Sequence, residues 1–299
     1  MEGGATLLID GSSLAYRAYH AIPEVLAPDH VTATNAVHGF LNFLSRLITD
    51  RRPTRVHVAL DADWRPAFRV DALPEYKAHR VAGPDDPADR VEPQLALIVE
   101  ILEAYGISTA QCEGFEAEDA IASIAKRSPG RVEVVTGDRD LFALARYPHV
   151  RVLYTLRGVS ELANVDQAWI NAKYGIPGDR YMDYAILRGD PSDGLPGVAG
   201  IGEKTASDLL RKYGSLDGIL GAKDLSPSVR VKLTRAADYL VGARRVVALA
   251  EDCPVEGGDG SVPSAPAHPA RVRALVDRYG LAGPIERLNA AVRLASATA

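Results

Sequence analysis

Hydrophobic residues along this chain of 299 residues follow two rhythms. Short β-branched and aliphatic runs at Leu7–Ile9, Val56–Leu60, Ile107–Ala110, Val132–Val135 and Val150–Tyr154 read as buried parallel strands, with an edge strand after the last. Between them the apolar period becomes helical. Val37, Phe40, Leu41, Leu44, Leu47 and Ile48 make a core stripe behind Thr34 as cap, and Leu95, Ile98, Val99 and Leu102 face inward on a helix over Gln94–Tyr105 that ends at Gly106. Ser12 or Ser13 is placed to cap a short helix carrying Arg17, Tyr19 and His20, a helix runs from about Ala117 to Lys126, and Asp140 opens another through Ala145. Strand alternating with helix predicts an α/β fold around a mostly parallel sheet.

Beyond Asp166 the pattern is helical, over Val165–Tyr174, Arg180–Arg188, Glu203–Tyr213 and Ser226–Leu249. Glu256–Ala270, rich in Gly, Pro and Ser, reads as a linker or surface loop before two closing helices at Arg271–Tyr279 and Pro284–Arg293. From Asp63 to Pro93 neither rhythm holds. Five prolines, at 66, 74, 84, 87 and 93, accompany Arg65, Arg69, Tyr76, Lys77, His79, Arg80 and Arg90. A pattern-free stretch of that length is functional or a mobile surface loop. A helical turn there puts Lys77 and Arg80 on one face with Tyr76 beside them, which suits a backbone phosphate and a stacked base.

The acids fall where the strands end. Asp10 and Asp61 follow the first two runs directly, and Asp138 and Asp140 lie just beyond the Val132 run. Ligands of open α/β sheets bind beyond the carboxyl ends of strands, so these acids converge on one crevice. Glu116, Glu118 and Asp119 crowd a helix start; either they serve the helix dipole or they share a cation. Asp190 and Asp193 stand before Gly197, Gly200 and Gly202, a glycine turn opening a helix whose free N–H groups and Lys204 suit a phosphate. Nine carboxylates with a reason to meet predict a divalent-metal site.

Composition narrows the class. The chain is 47% hydrophobic and 24% charged, with no apolar run long enough to span a bilayer and no signal-peptide pattern. Two cysteines, Cys112 and Cys253, fit a reducing cytoplasm rather than a disulfide framework. A net charge of −5 speaks against a nucleic-acid partner, until the nine acids are set aside as metal ligands and the remainder turns positive. Basic residues are 27 Arg against 7 Lys, a bias that a GC-rich genome explains as well as phosphate recognition does.

The ordered segments LLIDGSSLAYRAYHA, YKAHR, GFEAEDAIA, TGDRDL and GDPSDGLPGVAGIGEKTA closely resemble the bacterial 5′-nuclease family, the 5′→3′ exonuclease domain of DNA polymerase I and its free-standing flap endonuclease relatives. The similarity spans about residues 5–293. It implies a PIN-like 5′-nuclease fold: an α/β core over 1–185 that includes an arch at about 63–93, then a helical DNA-binding region over 186–299 with a helix-hairpin-helix. It implies two or more Mg²⁺ or Mn²⁺ ions held by Asp10, Asp61, Glu116, Glu118, Asp119, Asp138, Asp140, Asp190 and Asp193. Catalytic roles fall to Tyr76, Lys77 and Arg80 at the arch base, with Tyr76 stacking on the terminal base. DNA contacts fall to Arg17, Gly197, Gly200, Gly202, Lys204 and Thr205, with K⁺ held by carbonyls of the hairpin. The implied substrate is a 5′ flap, a nicked or gapped duplex or an RNA–DNA hybrid, cut during replication and repair by a monomer in the bacterial cytoplasm, at the nucleoid.

The chain departs from the family pattern in three places. Glu118 stands where the family has aspartate, Gly194 where asparagine is usual, and Asp63 lies close enough to Asp61 to compete for its role. Two other classes share parts of the pattern. A non-catalytic DNA-structure-binding module needs the hairpin but not nine acids, and a related metal-dependent ribonuclease needs the acidic core but neither arch nor hairpin. An Asp-x-Asp phosphatase is disfavoured, because Gly11 and Ser12 follow Asp10.

Overall fold

The structure is a computed structural model that describes residues 4–80 and 87–297. Six strands form one sheet, β1 (Thr6–Asp10), β2 (Arg55–Ala59), β3 (Ser108–Ala110), β4 (Val132–Thr136), β5 (Val150–Arg157) and β6 (Glu161–Val165), in the order β3-β2-β1-β4-β5-β6. The first five run parallel, and β6 pairs antiparallel with β5. Strand order reverses at β1, between β2 and β4. That is the switch point at which a crevice opens beyond the carboxyl ends.

Both faces of the sheet are covered, as continuous apolar strands require. Because side chains alternate, Leu7 and Ile9 of β1 face one layer and Leu8 the other. The first layer holds α1 (Gly11–Ala21), α2 (Asn35–Arg51) and α4 (Pro87–Tyr105). The second is built on α5 (Ala117–Arg127) and on α6 (Gln167–Tyr174), α7 (Tyr181–Arg188), α8 (Glu203–Tyr213), α9 (Leu216–Gly221), α10 (Pro227–Arg235) and α11 (Ala237–Val247). The short α3 (Ala67–Ala72) packs against α11. The closing helices α12 (Pro269–Tyr279) and α13 (Ala282–Ser296) return to the first layer, α12 against α4 and α13 against α2. There the Tyr105 hydroxyl donates to Asn289 Oδ1 at 3.0 Å. No helix among the described residues is long and apolar enough to cross a membrane.

Local chemistry differs from the sequence expectation at several element ends. Asp10, rather than Ser12 or Ser13, caps α1, its Oδ1 accepting from Ser13 N at 3.0 Å. Thr34 stands at the N-cap of α2, but its hydroxyl donates to Val25 O; the open N–H of Ala36 donates instead to Gln94 Oε1 at 2.8 Å. The helix expected from Gln94 begins at Pro87 and carries Pro93 inside it. Asp140–Arg146 winds as a 3₁₀ helix, not an α-helix. The stretch from 63 to 93 contains α3, a 3₁₀ turn at Ala78–Arg80 and the start of α4, while its part at 81–86 lies outside the described residues. Glu256–Ala270 is no free linker. Gln111 and Glu256 exchange backbone hydrogen bonds of 3.1 and 2.8 Å, and Val56 N donates to Gly260 O at 2.7 Å, so this segment borders the β2–β3 edge.

Candidate metal centre and nucleic-acid cleft

A cleft of approximately 1880 Å³ lies over the carboxyl ends of β2, β1 and β4. Asp10, Asp61, Glu116, Glu118, Asp138 and Asp190 line it, together with Arg17, Lys77 and Arg80. The strand ends account for Asp10, Asp61 and Asp138. Asp10 Oδ2 accepts the Thr136 hydroxyl at 2.6 Å, which ties β1 to β4, and Asp61 Oδ1 accepts Ala117 N at 2.9 Å, which ties β2 to the acidic helix. Asp63 turns away and accepts Arg65 N within its own turn. Between the two rivals for that position, Asp61 is the one that reaches the cleft.

Around Glu116, Glu118 and Asp119 the ligand oxygens lie within 4.8 Å of one another. What lets them gather is Arg69, which sequence reasoning left among the solvated cations of a loop. Its side chain has no exposed surface; it is paired with Glu116 and lies 2.8 Å from both Glu118 Oε1 and Asp119 Oδ1. Its Nε donates to Val246 O at 3.0 Å, so the same guanidinium fastens α11 to the acids. The one available signal was its apolar setting, Phe68-Arg69-Val70, which is unusual for a solvated arginine.

Asp119 is fully buried and committed to protein donors. Oδ1 accepts from Arg69 and from Ala250 N, and Oδ2 accepts Glu116 N at 3.2 Å, closing a capping box at the start of α5. Tyr76 also differs from its expected role. Its ring is 2% exposed and its hydroxyl donates to Glu116 Oε2 at 2.7 Å, so it braces a carboxylate and offers no face to a base. Lys77 and Arg80 do not share a face. Lys77, at φ +50, sends its ammonium to Glu116, whereas Arg80 reaches Asp193 Oδ1 at 2.5 Å and Ser192 O.

The remaining acids form a second group. Asp140 feels the charge of Asp138, Asp193 and Asp190, and Asp138 that of Asp193 and Asp190. Glu118 feels the like charge of Glu116 and Asp119 beside it and also that of Asp140 in the second group. Burial, reinforced by the neighbouring acids Asp138 and Asp61, pushes the Asp10 carboxyl up to about 7 against the pull of its hydrogen bonds. Burial likewise raises Glu118 and Asp140 well above the carboxylate range and raises Asp138. For Glu116 burial outweighs the opposing charges of Lys77 and Arg69.

That charge pattern fits hard divalent cations. Every donor is a carboxylate oxygen, and among the described residues Asp10, Asp61, Asp138 and Asp140 have no ion pair to offset their repulsion. Arg17 projects from α1 into the same cleft, and its buried Nε has no hydrogen-bond partner.

The hairpin stands at the rim. Gly197 and Gly200 have φ of +70 and +77, and Gly202 is the N-cap of α8 and lines the cleft with Glu203. A Cβ on Gly197 meets Arg188 O at 2.3 Å, whereas one on Gly202 meets nothing within 4 Å. Gly202 offers no side chain to cap the first turn of α8, where Glu203 and Lys204 are exposed and Thr205 is half-buried. The Gly200 carbonyl, one of those expected to hold K⁺, accepts the Lys232 ammonium at 2.8 Å. Gly194 has its own reason: at φ +76 a Cβ falls 2.4 Å from Glu75 O, so the turn that carries Lys77 closes against it and leaves no room for asparagine.

Comparison with known proteins places this geometry in context. Residues 5–175 match the family model "5′-3′ exonuclease, N-terminal resolvase-like domain", and residues 176–267 match "5′-3′ exonuclease, C-terminal SAM fold". The chain is 46% identical to a 5′-3′ exonuclease of Streptomyces coelicolor, over 94% of this chain and 98% of the relative. In fold it is similar to the flap endonuclease of bacteriophage T5 solved with DNA and metal ions, at TM-score 0.65 and 16% identity over 98% of this chain and 99% of that one. Flap endonuclease-1 from Methanococcus jannaschii aligns at TM-score 0.67 and 17% identity, over 99% of this chain and 94% of that one.

Proposed function

The chain belongs to the 5′-3′ exonuclease family, and from that premise we propose that it cuts DNA phosphodiesters at or near a 5′ end, on flaps and on nicked or gapped duplexes, using Mg²⁺ or Mn²⁺. It is a structure-specific 5′ nuclease, a hydrolase whose place is in replication and repair, where RNA primers and displaced 5′ strands are removed. We take it to act as a monomer in the cytoplasm, at the nucleoid. The observation that carries this reading is the convergence of acids from three strand ends and one helix start with Arg17, Lys77 and Arg80 in a single cleft.

Asp10, Asp61, Glu116 and Glu118 are the side chains for a first ion, and Asp138, Asp140, Asp190 and Asp193 for a second, with Asp119 orienting Glu116 from behind. Divalent ions bound there supply Lewis-acid activation of water and offset negative charge at the phosphate. The protein's own residues do the rest. Lys77 and Arg80 stabilise charge developing on the phosphate oxygens, Arg69 and Tyr76 hold Glu116 at its angle, and the first turn of α8 with Lys204 and Thr205 receives a duplex phosphate. The hairpin carbonyls offer K⁺ a place only beside Lys232, whose ammonium already serves Gly200 O. Backbone recognition of this kind is independent of sequence and sensitive to salt.

A 5′-labelled flap assay in Mg²⁺, Mn²⁺ or EDTA tests the reading. Cleavage is expected with either metal and not with the chelator, and Asp138→Asn is expected to abolish it while duplex binding persists. Intact flap DNA in both metals contradicts the reading, and near-normal turnover by Asp138→Asn removes that residue from the site.

A further inference from the structure

With Tyr76 buried, the cleft needs another aromatic if it is to hold an unpaired base, and the loop between β2 and α3 provides one. Trp64 is 47% exposed, the one aromatic among the large, exposed hydrophobic side chains of the described residues. It lines the cleft three residues after Asp61, and it makes no ring contact with the described residues. Leu156, 53% exposed, lines the same cleft. A scattered exposed hydrophobe needs no explanation, but a tryptophan inside an acid-lined cleft does.

Its loop is pinned on both sides. Asp63 N donates to Phe115 O at 3.0 Å and Arg65 N to Asp63 Oδ1 at 3.0 Å, while the Arg65 side chain donates to Tyr76 O at 2.6 Å and Pro74 O at 2.7 Å. The indole is thus presented by a fixed turn that is hydrogen-bonded to the acidic loop at Phe115 and to the segment carrying Tyr76. Ordering it costs little on binding, and its face suits any base, as a nuclease blind to sequence requires.

We propose that Trp64 is the stacking platform for an unpaired base of the 5′ strand, and so a determinant of the preference for flapped over flapless DNA. The proposal rests on the nuclease reading above. The chain has two tryptophans, and the other, Trp169, packs against Phe142 and Tyr174. In a Trp169→Phe background the emission of Trp64 therefore reports directly.

Titrated in EDTA, a 5′-flapped oligonucleotide is expected to quench that emission, and the same nicked duplex without a flap is not. Trp64→Ala is expected to lower affinity for the flapped DNA about tenfold while leaving the flapless duplex unchanged, and Trp64→Phe to restore most of the loss. If wild type cuts flaps but Trp64→Ala binds them as tightly, or loses affinity equally for both substrates, the proposal is overturned and the nuclease reading stands. Wild type that leaves flaps uncut overturns that reading, and this proposal with it.

Discussion

Arg69 illustrates how one buried side chain sets the conditions for a site. Three carboxylates within 4.8 Å of one another repel, and burial deepens the cost, so a cation enclosed among them is what allows α5 to begin there. Removing it leaves Glu118 and Asp119 without an ion-pair partner among the described residues and Glu116 with Lys77 alone. Arg69→Met is therefore expected to lower stability by about 3–5 kcal/mol in chelator, measured by urea unfolding, and saturating Mn²⁺ to recover part of the loss. Stability unchanged in chelator would show that the guanidinium is dispensable. Strand-end acids were legible in sequence because each follows an apolar run. Arg69 and the buried orientation of Tyr76 were not, because neither residue repeats with any period and their partners stand about forty to fifty positions away.

At the scale of elements, the hairpin separates glycines that the backbone requires from one that it does not. Gly197 sits at positive φ against the Arg188 carbonyl, so Gly197→Ala is expected to lower Tm by several degrees. Gly202 has ordinary φ, −91, and open space around it. Gly202→Ala is expected to keep Tm close to wild type and, on the proposed reading in which this helix start receives a duplex phosphate, to weaken duplex binding, read by fluorescence anisotropy. Unchanged binding would make the hairpin a turn only. In sequence the three glycines looked equivalent, since spacing alone carries no φ. The stretch from 63 to 93 misled in the opposite sense: its prolines concealed α3 and the early start of α4, because a proline inside a helix breaks the rules by which helices are read.

Across the whole molecule, strand order decides function. Alternating strands and helices announced an α/β fold, and the order β3-β2-β1-β4-β5-β6 puts Asp10, Asp61 and Asp138 side by side over the switch point. What the sequence pattern concealed was the return of the chain. The segment Glu256–Ala270 looked like a linker, yet Glu256 exchanges backbone hydrogen bonds with Gln111 and Gly260 O accepts Val56 N; just ahead of it, Ala250 N donates to Asp119 and Cys253 N to Ser123 Oγ on the acidic helix. Long-range backbone pairing of this kind has no local signature.

A pool of buried carboxylates should bind protons and metal in competition. Burial holds the Asp10 carboxyl up at about 7, so below that pH its proton is expected to compete with a metal ion at the proposed site. The most direct measurement is calorimetric titration of the chelator-treated protein with Mn²⁺ between pH 5.5 and 8, beside Asp138→Asn and Asp190→Asn. The expected result is an affinity that rises by about tenfold per pH unit or more towards pH 7 and then levels, with proton release, and that falls in both variants although they lie on distant segments. Absence of Mn²⁺ binding, or binding indifferent to pH and to both substitutions, would contradict the assembly of these acids into one divalent-ion site.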